Sequence, residues 1–407
     1  MKLFQKLLLA PAAIGLFAPI AASASEANLK DVSNYSQVDI EVSQDTFKPL
    51  STKNPLLAGG EGLGQDLVSD FDGDSFSSTT SASFAVNWAF GSVDGLNGGP
   101  NEDVNREETV GNNFDWSLST VTSFTGDDSL DVTLQGGNGG NHLRELDLAS
   151  GTSVIVDSIS YTRNVGEYVA YAFGFGVDGS TLYNTACVYE AQTNVLGKCG
   201  LTAALLDMDY GTNAGIAVDV GNGLTFAFGY EGEGTTQGLL SEEGADGVGA
   251  QVAYVKDSYG VSITFSQHDN ATLSTTNGDQ NWQITGDVTS GTALNGFIVP
   301  SVDGFPSISF GYEWKNDGSV NDENADQFTN YFVGFQFDEL GNGSLGAAVG
   351  SKEAAAENID HQTMWEAYYS YNYADGVKIT PLVYYKENSA QNTDDETGII
   401  VKTSFEF

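Results

Sequence analysis

From Ser83 to its last residue the chain repeats one pattern: an apolar side chain at every second position, a break, then the same again. Successive side chains of a strand point to opposite faces, so each run reads as a strand with one greasy and one wet face. Phe84, Val86, Trp88 and Phe90 share a face of the first run, and Phe114, Trp116, Leu118 and Phe124 share a face of the second. Leu224-Phe226-Phe228-Tyr230 and Ile308-Phe310-Tyr312-Trp314 repeat the pattern further along. The last run sets Ile399, Val401, Phe405 and Phe407 on one face and Lys402, Ser404 and Glu406 on the other.

The connections alternate as strictly as the runs. The tight ones carry the residues that hairpin turns need, as in Asn164-Val165-Gly166, Gly221-Asn222-Gly223, Asp303-Gly304 and Ala374-Asp375-Gly376. The long ones fall near 91–113, 136–153, 177–213, 231–246, 268–292, 315–326, 350–362 and 386–398, and are rich in Asp, Glu, Asn, Gly and Ser. Trp282–Val288 counts as part of the fifth of these. The runs then total 16; even counts of about 14 or about 18 satisfy the same layout. Short turns at one rim and long loops at the other describe a transmembrane, antiparallel, up-and-down β-barrel with both chain ends on the short-turn side. The expected fold is therefore all-β, a barrel of about 16 strands. A soluble sandwich also strings short strands together, but it fills its apolar faces with Val, Ile and Leu. Here Phe, Tyr and Trp dominate, often near strand ends as in an interfacial girdle.

The amino end points to export. Lys2 and Lys6 precede a mostly apolar run from Leu7 to Ala21, and Ala22-Ser23-Ala24 forms an A-x-A cleavage site. Residues 1–24 read as a secretory signal peptide. Residues 25–75 are polar and irregular, an expected periplasmic segment or plug, and 76–407 are the expected barrel. No later stretch reaches about 18 consecutive apolar residues, so a helical membrane protein is excluded. The formal net charge is −40, and −42 once the two leader lysines are gone. Such a chain repels anions, draws cations and does not grip nucleic acid through its phosphates. Cys187 and Cys199, close together in an exported chain, favour a disulfide that pins one loop.

Signals for catalysis are weak. His142, His268 and His361 stand apart in long connections with no nucleophile pattern around them. Asp70-Phe71-Asp72-Gly73-Asp74 misplaces the glycine of a calcium loop and lacks its final Glu. Gly174-Phe175-Gly176-Val177-Asp178-Gly179 matches a dinucleotide fingerprint, but no helix follows it. No catalytic residue, metal or cofactor is expected.

If the apolar faces meet lipid, the others line a lumen. The expected pore-lining acids are Asp115, Asp131, Asp219, Glu313, Glu366 and Glu406, against the bases Lys378 and Lys402. That imbalance gives a negative pore potential and a preference for cations. A barrel of about 16 strands is wide enough for an aqueous channel. The longest connection, about 178–213, holds both cysteines. Folded inward, it would narrow the channel, with Asp207, Asp209 and Tyr210 as candidate constriction residues; the alternative is an external loop over the rim.

Several segments resemble the cyanobacterial outer-membrane porins, the family of carbohydrate-selective or iron-uptake porins. The leader Met1-Lys2-Leu3-Phe4-Gln5, Asp31-Val32-Ser33-Asn34-Tyr35, and Phe76-Ser77-Ser78-Thr79-Thr80 at the barrel opening are similar to theirs. The most specific match is Thr122-Ser123-Phe124-Thr125-Gly126-Asp127-Asp128-Ser129-Leu130. Asp338-Glu339-Leu340-Gly341, Lys378-Ile379-Thr380-Pro381 and the final Lys402-Thr403-Ser404-Phe405-Glu406-Phe407 match again. The surface-layer-homology domain usual in that family is missing; about 50 irregular residues stand in its place. The resemblance implies passive passage of small hydrophilic solutes and inorganic ions across the outer membrane. Membrane lipid, small solutes and cations are the expected partners, and a homotrimer is expected by analogy with porins of this size. The competing readings are an extracellular β-sandwich for binding or adhesion, and a barrel enzyme or plugged transporter.

Overall fold

The computed structural model describes residues 79–95, 109–139, 143–149, 151–201, 204, 206, 211–233, 238–240, 245–276, 279–302, 304–318, 327–352, 362–387 and 395–407. Residues 1–24, expected as a signal peptide, and 25–75, expected as a periplasmic segment or plug, lie outside them. Strands begin with Thr80–Asp94 (β1), Gly111–Thr122 (β2), Asp128–Gly137 (β3), Ile155–Val165 (β4), Val169–Phe175 (β5) and Thr212–Gly221 (β6). Leu224–Gly232 (β7), Asp246–Lys256 (β8), Tyr259–Thr276 (β9), Asp279–Ile298 (β10) and Ser307–Gly318 (β11) follow. The set ends with Gln327–Phe337 (β12), Gly343–Lys352 (β13), Gln362–Ala374 (β14), Val377–Lys386 (β15) and Glu396–Glu406 (β16).

Each strand pairs antiparallel with its sequence neighbour, and β16 returns to pair with β1. The seam runs from Ala85 opposite Glu406 to Asp94 opposite Thr397. Phe84 and Phe407 extend it by exchanging backbone hydrogen bonds of 2.7 and 3.0 Å. Closure leaves no unpaired edge, which a sheet immersed in lipid requires. One closed sheet also rules out the sandwich alternative.

The burial pattern is inverted relative to a soluble β-protein. On β9, Val261, Ile263 and Phe265 point outward and are exposed, whereas Ser262, Thr264 and Ser266 point inward and are buried. β11 repeats this with Phe310, Tyr312 and Trp314 outside and Ser307, Ser309 and Glu313 inside. An apolar outside and a polar inside is the arrangement lipid demands of a spanning barrel.

The turns follow local chemistry. Asn222 and Gly223 both hold positive φ (58° and 86°), the mirror-image turn whose twist matches the flanking strands. Between β2 and β3 one side chain fixes the turn. The Asp128 carboxylate accepts the N–H groups of Phe124 and Thr125 at 2.8 Å and the hydroxyls of Ser123 and Tyr161 at 3.1 and 2.9 Å.

The fifth long connection departs from the sequence reading. β9 and β10 continue through it, leaving only residues 277–278 between them, and Trp282 pairs with Leu273 rather than lying in a loop. Above Val288 β10 no longer pairs with β11, so the two strands satisfy their backbone groups with each other as a protruding hairpin. Its alternation is broken by a register shift between Ile284 and Val288, which disguised it in the sequence.

Candidate functional site

The described residues of the connection from β5 to β6, within 176–211, do not lie over the rim. Their backbone N–H groups donate to inward-facing side chains taken in order around the wall. Gly179 reaches Glu231 of β7 at 3.2 Å, Asn184 reaches Gln251 of β8 at 2.6 Å, and Ala186 reaches Ser262 of β9 at 3.3 Å. Val188 then reaches Ser309 of β11 at 3.0 Å, and Glu190 reaches Gln336 of β12 at 2.8 Å. Gln192 and Thr193 both reach Glu366 of β14, at 3.0 and 2.9 Å. From Asn184 to Gln192 every second residue donates, which marks an extended segment with one edge against the wall. Its eight steps cover roughly 26 Å, and the six strand spacings from β8 to β14 roughly 29 Å. Chain length and wall arc therefore agree.

The segment then folds back along the wall, nearer the long-loop rim. Ala204 N–H donates to Glu313 of β11 at 2.8 Å, and the Leu206 carbonyl accepts from Gly179 N–H at 3.1 Å, closing the band at its base. A Cys187–Cys199 disulfide, Cα–Cα 6.2 Å, links the outgoing and returning legs. Glu366 is the principal anchor. Besides two N–H groups it accepts the Tyr189 phenol at 2.9 Å and the Thr193 hydroxyl at 2.7 Å. Burial of Tyr189, reinforced by the neighbouring Glu366 carboxylate, pushes its phenol well above the usual range and keeps it a donor.

A second connection, between β3 and β4, also turns into the mouth. Its 3-10 turn Arg144–Leu146 is fastened across the barrel seam: Arg144 pairs with buried Glu396 of β16, and Glu145 accepts Lys386 of β15 at 2.6 Å. The Glu145 carbonyl takes the Asn194 N–H at 2.8 Å, so the two inward connections are joined. Between them Leu143, Leu148, Val195 and Leu196 meet Phe332, Met364, Leu382, Tyr384 and Ile400 from the inner wall in one buried apolar cluster. The sequence reading gave inner faces to polar residues alone. It missed this patch because an apolar residue on an inner face breaks the period-2 signal locally.

The pore-lining residues read from sequence divide into three groups. Asp115 and Lys402 face inward and are partly exposed. Asp115 accepts Asn87 at 3.0 Å, and Asn87 in turn accepts Ser404 at 2.7 Å, so a polar ladder crosses the barrel seam. Asp131 faces the same side and accepts the Ser129 hydroxyl at 2.7 Å. Asp219, Lys378 and Glu406 stand exposed at the short-turn rim. Lys378 and Glu406 line a cavity there of about 680 Å³ with Ser404 and Asn372. Glu313 and Glu366 depart from the reading: they face inward but are 0% and 1% exposed, because the inner loop covers them. They hold the loop and do not touch the water path.

Asp207, Asp209 and Tyr210 lie outside the described residues. Within the described part of the loop the acid left open is Glu190, near enough to act electrostatically on Lys402. Asp178 instead pairs with Lys198 at 2.7 Å. The loop's path leaves the lumen asymmetric. Inward side chains of β8 to β14, such as Gln251, Ser309 and Gln336, are buried, whereas Ser117, Ser119, Thr133 and Gln135 on β2 and β3 remain partly exposed.

No protein-family model matches this chain, and no curated protein sequence matches it. Solved structures do. OprB of Pseudomonas putida aligns with a TM-score of 0.55 at 11% identity, over 81% of this chain and 94% of that one. OmpT of Vibrio cholerae, an outer membrane protein, aligns in a form lacking loop L8 with a TM-score of 0.56 at 11% identity, over 81% and 99%. Its trimer form gives 0.53 at 12%, over 81% and 99%. A porin of Rh. blastica gives 0.46 at 12%, over 81% and 100%. OprB and OmpT thus share the fold of this chain.

Proposed function

We propose that this chain is a passive outer-membrane porin for small hydrophilic solutes and inorganic ions, with a preference for cations. The observation that carries the proposal is the lumen. A closed barrel, apolar outside, keeps one inner wall polar and water-accessible while a loop lies bound to the opposite wall. The inner faces of β2, β3 and β4 present Ser117, Ser119, Thr133, Ser158 and Thr162 and no aromatic ring. A sugar would find hydroxyls there but nothing to stack on, which favours small ions. Asp115, Asp131 and Glu190 outnumber Lys402 along this path, so cations are enriched. Export by the signal peptide, residence in the outer membrane and assembly as a trimer complete the reading. The trimer is supported by the trimeric form of OmpT. In this reading the protein is neither an enzyme nor a carrier of a metal or cofactor.

Planar-bilayer recording of the purified protein across a potassium chloride gradient tests it. The expected result is stepwise channel insertion with a reversal potential of cation-selective sign. Failure to form channels refutes the porin; an anion-selective sign refutes the charge argument alone.

A further inference from the structure

Glycines recur where the inner loop touches the wall. Gly229 of β7 lies under Gly179, and a Cβ there would meet the Gly179 carbonyl. On β8, a Cβ at Gly249 would lie 2.6 Å from the Tyr183 hydroxyl and 3.0 Å from Leu206. A Cβ at Gly311 of β11 would meet the Cys199 carbonyl, and one at Gly334 of β12 would lie 2.7 Å from the Tyr189 ring. On β13, a Cβ at Gly350 would lie 2.8 Å from the Tyr331 carbonyl of β12 and 2.9 Å from Leu196 of the loop. None of these five has the positive φ that would call for glycine on backbone grounds. Glycine in a strand interior costs stability, about 0.5–1 kcal/mol relative to alanine. Five on consecutive or near-consecutive strands, all inward and all beneath the same loop, share one steric role.

We infer that these glycines set the bore of the channel. They let the loop lie on the backbone of the wall, so the band takes little of the lumen and the hydroxyl-lined side across from it stays open. They are positioning residues: no solute touches them. The distance from wall to loop is set by the missing Cβ atoms, and the hydrogen bonds to Glu231, Gln251, Ser309, Gln336 and Glu366 hold the loop at that distance. The inference rests on the porin reading.

The test is single-channel conductance of the full chain carrying Gly311→Ala, Gly334→Ala or both, alongside the smallest polyethylene glycol that fails to enter the pore. Thermal unfolding in detergent is recorded for each. A Cβ at either site lifts the loop into the lumen. Conductance is expected to fall by about a tenth or more for each single variant and further for the pair, because close-packed contacts transmit the displacement. The polymer cut-off is expected to move to smaller sizes. Normal conductance and cut-off with a lowered unfolding midpoint would show that the glycines serve packing alone and would overturn the inference; so would a rise in conductance. If one variant fails to fold, the other carries the test. Wild-type protein that forms no channel would instead refute the porin reading.

Discussion

Replacing Glu366 by alanine removes the post to which the tip of the inner loop is tied. Four donors converge on its carboxylate: the N–H groups of Gln192 and Thr193, the Thr193 hydroxyl and the Tyr189 phenol. A hydrogen bond to a charged group is worth about 1.5–3 kcal/mol. The four share one acceptor and do not add. Buried donors left without a partner cost about 1–3 kcal/mol apiece, and about 3–4 kcal/mol for a cluster that acts as a unit is the better guide. The site is 1% exposed, so the orphaned donors cannot find water without leaving the wall. At 1.4 kcal/mol per factor of ten, the ratio of lifted to seated loop rises about 10²- to 10³-fold. The barrel itself keeps all its strand ladders, so Glu366→Ala should still insert as a channel. Bilayer recordings should show excess open-channel noise and conductance substates that wild type lacks. Glu366→Gln, which keeps one acceptor oxygen, should fall between them. A folded Glu366→Ala channel as quiet as wild type, at the same conductance, would refute the claim that this carboxylate anchors the loop.

Two further outcomes follow from the wall itself. Deleting Phe407 removes both backbone hydrogen bonds to Phe84 and a ring contact at 5.3 Å, so yield of assembled barrel in the outer membrane should drop while conductance of the surviving channels stays normal. Wild-type yield of the truncated chain would contradict a seam role. Ile263, outward on β9 and 57% exposed, should tolerate Leu but lose about 2–4 kcal/mol on Ile263→Arg, read as a lowered unfolding midpoint in lipid vesicles. An unchanged midpoint would mean that this face does not meet hydrocarbon.

The strands were legible because their signal is local and repeated. Period-2 alternation in β9, β11 and β16 reports which side of the sheet each residue takes, whatever the far neighbours are. The orientation of Asp115, Glu313, Glu366 and Lys402 followed from that phase. Burial did not, because it depends on what lies on top of the residue. Glu313 and Glu366 share the inward phase of Asp115, yet a loop from β5–β6, far away in sequence, covers them. The hairpin through Trp282 was missed for a related reason: a register shift between Ile284 and Val288 broke the alternation that identifies a strand. Glu190 gave no signal at all, since its exposure depends on the neighbouring N–H groups being turned to the wall.

The amino-acid sequence by itself determined the sheet: the number of strands, their alternating faces, the tight turns and the acidic excess. Each of these is fixed by residues near one another along the chain. Only the tertiary structure decided the channel. It placed the described part of the 176–211 loop along the inside of β7 to β14, buried Glu231, Glu313 and Glu366 beneath it and joined it to the Arg144–Leu146 turn. It also left the hydroxyl-lined wall of β2 and β3 open to water. Those outcomes depend on barrel closure, which brings distant strands around a common interior, and on glycines whose purpose is visible only where another segment presses against them.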